Sequence, residues 1–192
     1  MSVIVTQSAP AAVAAKAAAS TIPIVFVLGI DPVKSGLVAR PNRPGGNITG
    51  ISQLAAELVG KQLELLHELV PNASIVALLV DPSNPVTEPD TINLQASAAS
   101  LGLQARVVPV STASEIEAAF ENLVGLRAKG LLVSSDPLFA SRRAQIIALT
   151  AQYALPAIYD YRLFPVAGGL MSYGTDLADS YPSARYLYCQ DP

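Results

Sequence analysis

Short runs of apolar, mostly β-branched residues recur along the chain, and a longer segment of helical character separates each from the next. The runs occupy residues 3–5, 24–28, 75–80, 105–110, 130–133 and 156–159. Most are apolar at consecutive positions. A strand wetted on one face alternates apolar with polar residues; a strand covered on both faces does not. The pattern therefore predicts a doubly wound α/β architecture, with parallel strands between helices.

The intervening segments read as helices. Residues 10–19 are alanine-rich and follow Ser8, a natural N-cap. Leu54, Leu58, Leu65 and Leu69 keep helical spacing up to Pro71 and Asn72. Residues 92–101 end at Gly102, and Ser141 precedes a segment with Ile146, Ile147, Leu149 and Ala151. Ser114 with Glu117 reads as a capping box ahead of Ala118, Phe120 and Leu123. Residues 40–47 carry two prolines and two glycines, which predicts a fixed loop ahead of 48–52.

Composition removes several classes of function. The chain has 192 residues, enough for one large domain or two small lobes, with 51% apolar and only 14% charged residues. A net charge of -3 offers no electrostatic footprint for nucleic acid or an anionic membrane. One cysteine, Cys189, precludes an internal disulfide, and one histidine, His67, precludes a histidine-rich metal site. No metal and no cofactor is expected. No apolar run reaches the roughly 18 residues of a membrane span, and the start lacks the basic and apolar regions of a signal peptide.

Polar residues gather directly after the apolar runs, at 29–32, 81–85, 134–137 and 160–161. These are the carboxyl ends of strands, where open α/β sheets bind their ligands. Asp31, Ser83, Asn84, Ser135, Asp136 and Asp160 are the candidates. Each one singly reads equally well as a helix cap; their recurrence after four strands favours binding. The aspartates stand alone in their loops, without the clustered oxygens of a calcium loop, and suit a ligand amine or hydroxyl better than acid–base work. Tyr159, Tyr161 and Tyr173 read either as an aromatic wall or as core tyrosines. His67 lies within a helical segment beside Leu65, Leu66 and Leu69 and reads as a helix-surface residue. No nucleophile elbow, Walker loop or dinucleotide-binding glycine motif occurs.

Longer blocks carry a resemblance. Residues 22–38, with Asp31-Pro32-Val33-Lys34-Ser35-Gly36, and 42–50, with Asn42-Arg43-Pro44-Gly45-Gly46-Asn47, form the clearest of them. Lys61-Gln62-Leu63-Glu64-Leu65-Leu66, Ser135-Asp136-Pro137-Leu138-Phe139 and residues 168–176 add to it. Across residues 3–181 the chain resembles the ABC transporter substrate-binding family, whose members include proposed binders of tryptophan and other aromatic amino acids. The resemblance implies a periplasmic-binding-protein type I fold, two Rossmann-like lobes closing on a solute. Lobe one would comprise residues 1–72 and the return segment 168–192, lobe two residues 73–167, with hinge crossings near Pro71–Asn72 and 165–167. It implies solute contacts from Ser8, Ala9 and Asp31 in lobe one, and from Ser83, Asn84, Ser135, Asp136 and Asp160 in lobe two. Amides at the start of the first helix would hold a carboxylate, and Asp136 or Asp31 an ammonium. The implied partners are a small polar solute such as an amino acid, and an ABC permease with its ATPase; the implied location is the periplasm or cell envelope.

The chain departs from the family at both ends. Met1 would fall in the middle of lobe one, so the chain is expected to lack an export signal and a strand–helix–strand–helix unit, with lobe one incomplete. That leaves an apolar edge at residues 3–5, from which dimerisation, aggregation or a reduced lobe one, with impaired function, is expected. The tail 182–192 differs from the family's apolar helix and reads as out-of-frame translation, in which Cys189 carries no function. The rival functions are a cytoplasmic ligand-sensing domain of the kind found in transcription regulators, and a small α/β isomerase.

Overall fold

The computed structural model describes residues 2–52 and 55–174. The expectations for the tail and for Cys189, and the placing of Leu54, lie outside the described residues. The chain divides into two compact units, residues 1–54 with 176–192, and residues 55–175.

The first unit is a parallel sheet of order β1-β2-β3 with one helix. Its elements are β1 (Ile4–Thr6), α1 (Ala9–Ala18), β2 (Ile24–Leu28) and β3 (Ile48–Ser52). All five residues of β2 are buried, as a consecutive apolar run between two partners requires. β1 is an edge strand, and its Val5 is 54% exposed. The loop over 40–47 is fixed as expected. Asn47 Nδ2 donates to the Ala19 and Ile22 carbonyls at 2.9 and 2.6 Å, tying the loop to the end of α1. β3 was not evident as a strand because Gly50 interrupts its apolar run. Gly50 pairs with Phe26, and a Cβ there would lie 2.1 Å from the Phe26 carbonyl oxygen, so only glycine fits.

The second unit has three layers. Its strands are β4 (Ile75–Val80), β5 (Gln104–Pro109), β6 (Gly130–Val133), β7 (Ala157–Tyr159) and β8 (Met171–Ser172), all parallel in the order β5-β4-β6-β7-β8. Its helices are α2 (Val59–Leu69), preceded by a 3-10 turn, α3 (Thr87–Ser100), α4 (Glu115–Gly125), α5 (Pro137–Ser141), α6 (Arg143–Gln152) and α7 (Leu163–Val166). Successive side chains of β4 feed opposite cores. Val76, Leu78 and Val80 pack with Leu63 and Leu66 of α2 and Leu94 of α3. Ala77 and Leu79 pack with Phe120 of α4 and Ile146 of α6. Each such buried side chain contributes about 1.5–3 kcal/mol of transfer free energy.

Two expectations are corrected here, the start of α3 and the cap of α4. By contact, residues 55–72 and 168–174 lie with the second unit. Leu63 and Leu66 bury α2 against β4 and β6, and Met171 pairs with Ile158, which adds β8 to the second sheet. α3 starts at Thr87 instead of 92, because Pro89 falls in the first turn, where no intrahelical N–H bond is lost. Ser114 is itself in helical conformation and makes no cap to α4; Glu115 instead reaches back to the Ser111 N–H at 2.8 Å.

Candidate functional site

The second unit's strand order is the flavodoxin-like one, with its topological switch point between β4 and β6. The chain leaves β4 for α3 on one side of the sheet, and leaves β6 for α5 and α6 on the other. The crevice beyond the carboxyl ends of these two strands is where ligands of such sheets bind. The residues that follow them are Asp81, Ser83 and Asn84 after β4, and Ser134, Ser135 and Asp136 after β6.

Asn84 and Asp136 meet across the switch point. Asp81 Oδ1 accepts from the N–H and the hydroxyl of Ser83, both at 2.8 Å, which turns the chain after β4. That turn buries Asn84, 5% exposed, whose Nδ2 donates to Asp136 Oδ2 at 2.6 Å and to the Ser135 carbonyl at 3.1 Å. Its Oδ1 accepts from the Val86 N–H at 3.1 Å, fixing the amide's orientation. Asp136, 4% exposed, caps α5 by accepting from the Leu138 N–H at 2.6 Å, and Pro137 opens that helix. Burial pushes the Asp136 carboxyl above the usual range, against the pull of Asn84 and the Leu138 N–H. Its Oδ2, which accepts from Asn84, keeps a lone pair for a further donor.

The next strand continues the polar face. The Ser135 hydroxyl is hydrogen-bonded to the Tyr161 hydroxyl. Burial first, then the nearby Asp160, pushes the Tyr161 phenol up to about 12, against the Ser135 hydrogen bond. Asp160, 5% exposed, accepts from Gln62 Nε2 at 3.4 Å, and the same nitrogen donates to the Tyr173 carbonyl at 2.7 Å. Burial pushes the Asp160 carboxyl up to about 6, with Ser135 and Gln62 opposing. Gly174 lies so close that a Cβ there would stand 2.0 Å from the Asp160 carbonyl oxygen.

Among the sequence candidates, the structure brings together Asn84, Ser135, Asp136 and Asp160. Ser83 is exposed and committed to Asp81. In the first unit, Ser8 caps α1 by accepting from the Ala11 N–H at 3.4 Å. Pro10 has no N–H, so the anion-holding capacity of that helix start rests on the Ala9 amide. Asp31 Oδ1 accepts from the Val33 and Lys34 N–H groups at 2.8 and 3.2 Å, closing its own turn. Of the three tyrosines, Tyr159 belongs to the core, stacked on Phe164 with ring centroids 4.3 Å apart. Tyr161 alone joins the polar face. His67 is half-buried on α2, with no hydrogen-bond partner at Nδ1 among the described residues.

Three participants were missed: Gln62, Asp90 and Ser134. Ser134 lay in the strand-end segment 134–137 without being singled out; for Gln62 and Asp90 the signal was helical spacing. Gln62 lies four residues before Leu66, and Asp90 four before Leu94, on the faces that turn inward. Among the described residues, no group of His, Cys, Asp and Glu is arranged to hold a metal, and no helix is long and apolar enough to cross a membrane.

The model of the ABC transporter substrate binding protein family matches residues 1–186. The chain belongs to that family. A curated tyrosine-binding protein of Clostridioides difficile is 30% identical over 169 residues, 88% of this chain and 48% of that protein. Among solved structures, an ABC domain from Streptococcus pneumonia in complex with L-Trp superposes with a TM-score of 0.85 at 24% identity, over 98% of this chain and 64% of that one. A conserved domain protein from Vibrio cholerae superposes at 0.86 with 26% identity, over 97% and 62%. The fold is thus that of type I periplasmic binding proteins. The chain spans about half the length of the curated relative, at 48%, and under two thirds of these solved chains.

Proposed function

We propose that this family member recognises an amino acid, one with an aromatic side chain, through the polar face at the ends of β4, β6 and β7. The single observation that carries this reading is the Asn84–Asp136 bridge across the switch point. It holds a buried carboxylate at the place where such sheets bind ligands, with acceptor capacity to spare for an ammonium group. Ser135 and the Tyr161 hydroxyl extend the face beside it. The names of two relatives, a tyrosine binder and a complex with L-Trp, support the solute class.

The proposed role is binding without turnover. The polar groups of the face are engaged with one another and with helix caps, and none is paired as nucleophile and base. Loaded protein would deliver its solute to an ABC permease driven by an ATPase, from the periplasm or cell envelope. Isothermal calorimetry with L-tyrosine, L-tryptophan and L-phenylalanine, with L-arabinose as control, tests the reading. Wild type is expected to bind at least one of the amino acids and not the sugar, and Asp136→Ala to abolish the heat. Binding unchanged in Asp136→Ala, or conversion of any of these solutes, would contradict it.

A further inference from the structure

Beneath the solute face lies a second carboxyl group that solute contact does not explain. Asp90 projects from the inward face of α3 and is 3% exposed. Its Oδ2 accepts from the Ser134 hydroxyl at 2.5 Å. Ser134 is the first residue after β6 and directly precedes Ser135 and Asp136. Asp90, Ser134, Ser135, Gln62 and Asp160 line a small cavity of about 10 Å³, room for roughly one water molecule. Among the described residues, no lysine, arginine or histidine lines it.

We propose that Asp90 is a positioning residue for solute recognition: from α3 it holds Ser134, and through Ser134 the Ser135–Asp136 pair, while Asp160 holds the neighbouring strand end from the same cavity. This rests on the solute-binding reading above. Two carboxylates without a countercharge are costly in such a space. As neutral acids they keep their acceptor oxygens and gain an O–H to donate into the cavity. Burial, and then the charge of Asp160, push the Asp90 carboxyl up to about 7, with the Ser134 hydroxyl opposing. The groups facing the pair all leave this unrelieved. α2 presents the neutral Gln62, β6 the two serines, and the end of β7 Tyr161, itself near Asp90, Asp136 and Asp160.

Both acids have folded values above their unfolded ones, so folding takes up protons. Their stabilising contribution is full below the unfolded value of about 4 and is lost as pH rises through about 6 and about 7. The strand ends that carry Ser135, Asp136 and Tyr161 loosen in the same window, and solute affinity falls with them.

The test compares the full chain with Asp90→Asn, Asp90→Ala and Ser134→Ala between about pH 5 and pH 8, by thermal melting without solute and by calorimetry with L-tyrosine and L-tryptophan. Wild type is expected to melt lower at the alkaline end and to bind several-fold more weakly there. Asp90→Asn keeps an acceptor for Ser134 and carries no charge; it should melt at least roughly 4 °C above wild type at the alkaline end, with a flattened pH profile and acid-side affinity throughout. Asp90→Ala and Ser134→Ala should weaken binding at every pH. An Asp90→Asn profile parallel to wild type, or full affinity in Ser134→Ala, overturns the proposal while the solute-binding reading stands. Wild type that binds neither amino acid at any pH removes that reading and the positioning role together.

Discussion

The two units satisfy the polar groups at their strand ends in different ways. In the first, Ser8 caps the helix that follows it and Asp31 closes its own turn, each through amides two or three residues away, and the longer link, Ser52 Oγ to the Ile30 carbonyl at 2.7 Å, involves no carboxylate. In the second, the partners are far apart in sequence. Asn84 reaches Asp136 across 52 residues, Ser134 reaches Asp90 across 44, and Gln62 reaches Asp160 across 98. A local cap stabilises one turn. A long-range bridge fixes one strand end against another, which a preorganised binding face requires. The second unit can therefore hold its polar face rigid without a ligand, and its carboxyl groups become buried and shifted as a consequence.

The largest effect expected from this contrast lies in the core beneath that face. Phe120→Ala removes a fully buried ring between α4 and β4 and should cost about 3–5 kcal/mol. Hydrogen exchange should show lost protection in β4 and β6 first. Asn84→Ala comes next, at about 3 kcal/mol, because it strands a buried Asp136 oxygen as well as removing a hydrogen bond. Urea denaturation checks it, and Ser83→Ala, exposed and locally bonded, should lie well below it. Protonation supplies the third contrast. Burial raises Asp160 to about 6, so wild type should lose stability as pH rises from about 4 through about 6. Asp160→Asn should remove its own share of that slope, on the order of 3 kcal/mol, and leave the share of Asp90. The smallest effect is the local one: Ser8→Ala should cost about 1 kcal/mol or less, and Ser8→Gly less still, by thermal melting. A Ser8 effect as large as that of Asn84 would erase the distinction between the units.

What sequence reading could reach follows the same divide. The strands β1, β2, β4, β5, β6 and β7 were legible because each is a short apolar run, and Ser8 was legible as a cap because a cap acts within one turn. β3 was not, since Gly50 reads as an interruption until Phe26 is seen against it. The placing of α2 was not, because the apolar face of Leu63 and Leu66 does not say which sheet will cover it. Asn84, Ser135, Asp136 and Asp160 were recognisable as strand-end polar residues, whereas the bridge between two of them was not. Asp90 had the spacing of an inward-facing residue, but its significance depends on Ser134, a partner that no local pattern announces.

The most direct test is amide chemical-shift mapping of the full chain titrated with L-tyrosine and L-tryptophan. Saturable shifts are expected at Asn84, Ser135, Asp136 and Tyr161, with Lys129 and Tyr153 near the opposite end of the second sheet unmoved. Saturable shifts confined to that opposite end, or none at the ends of β4 and β6, would contradict the assignment of the solute face.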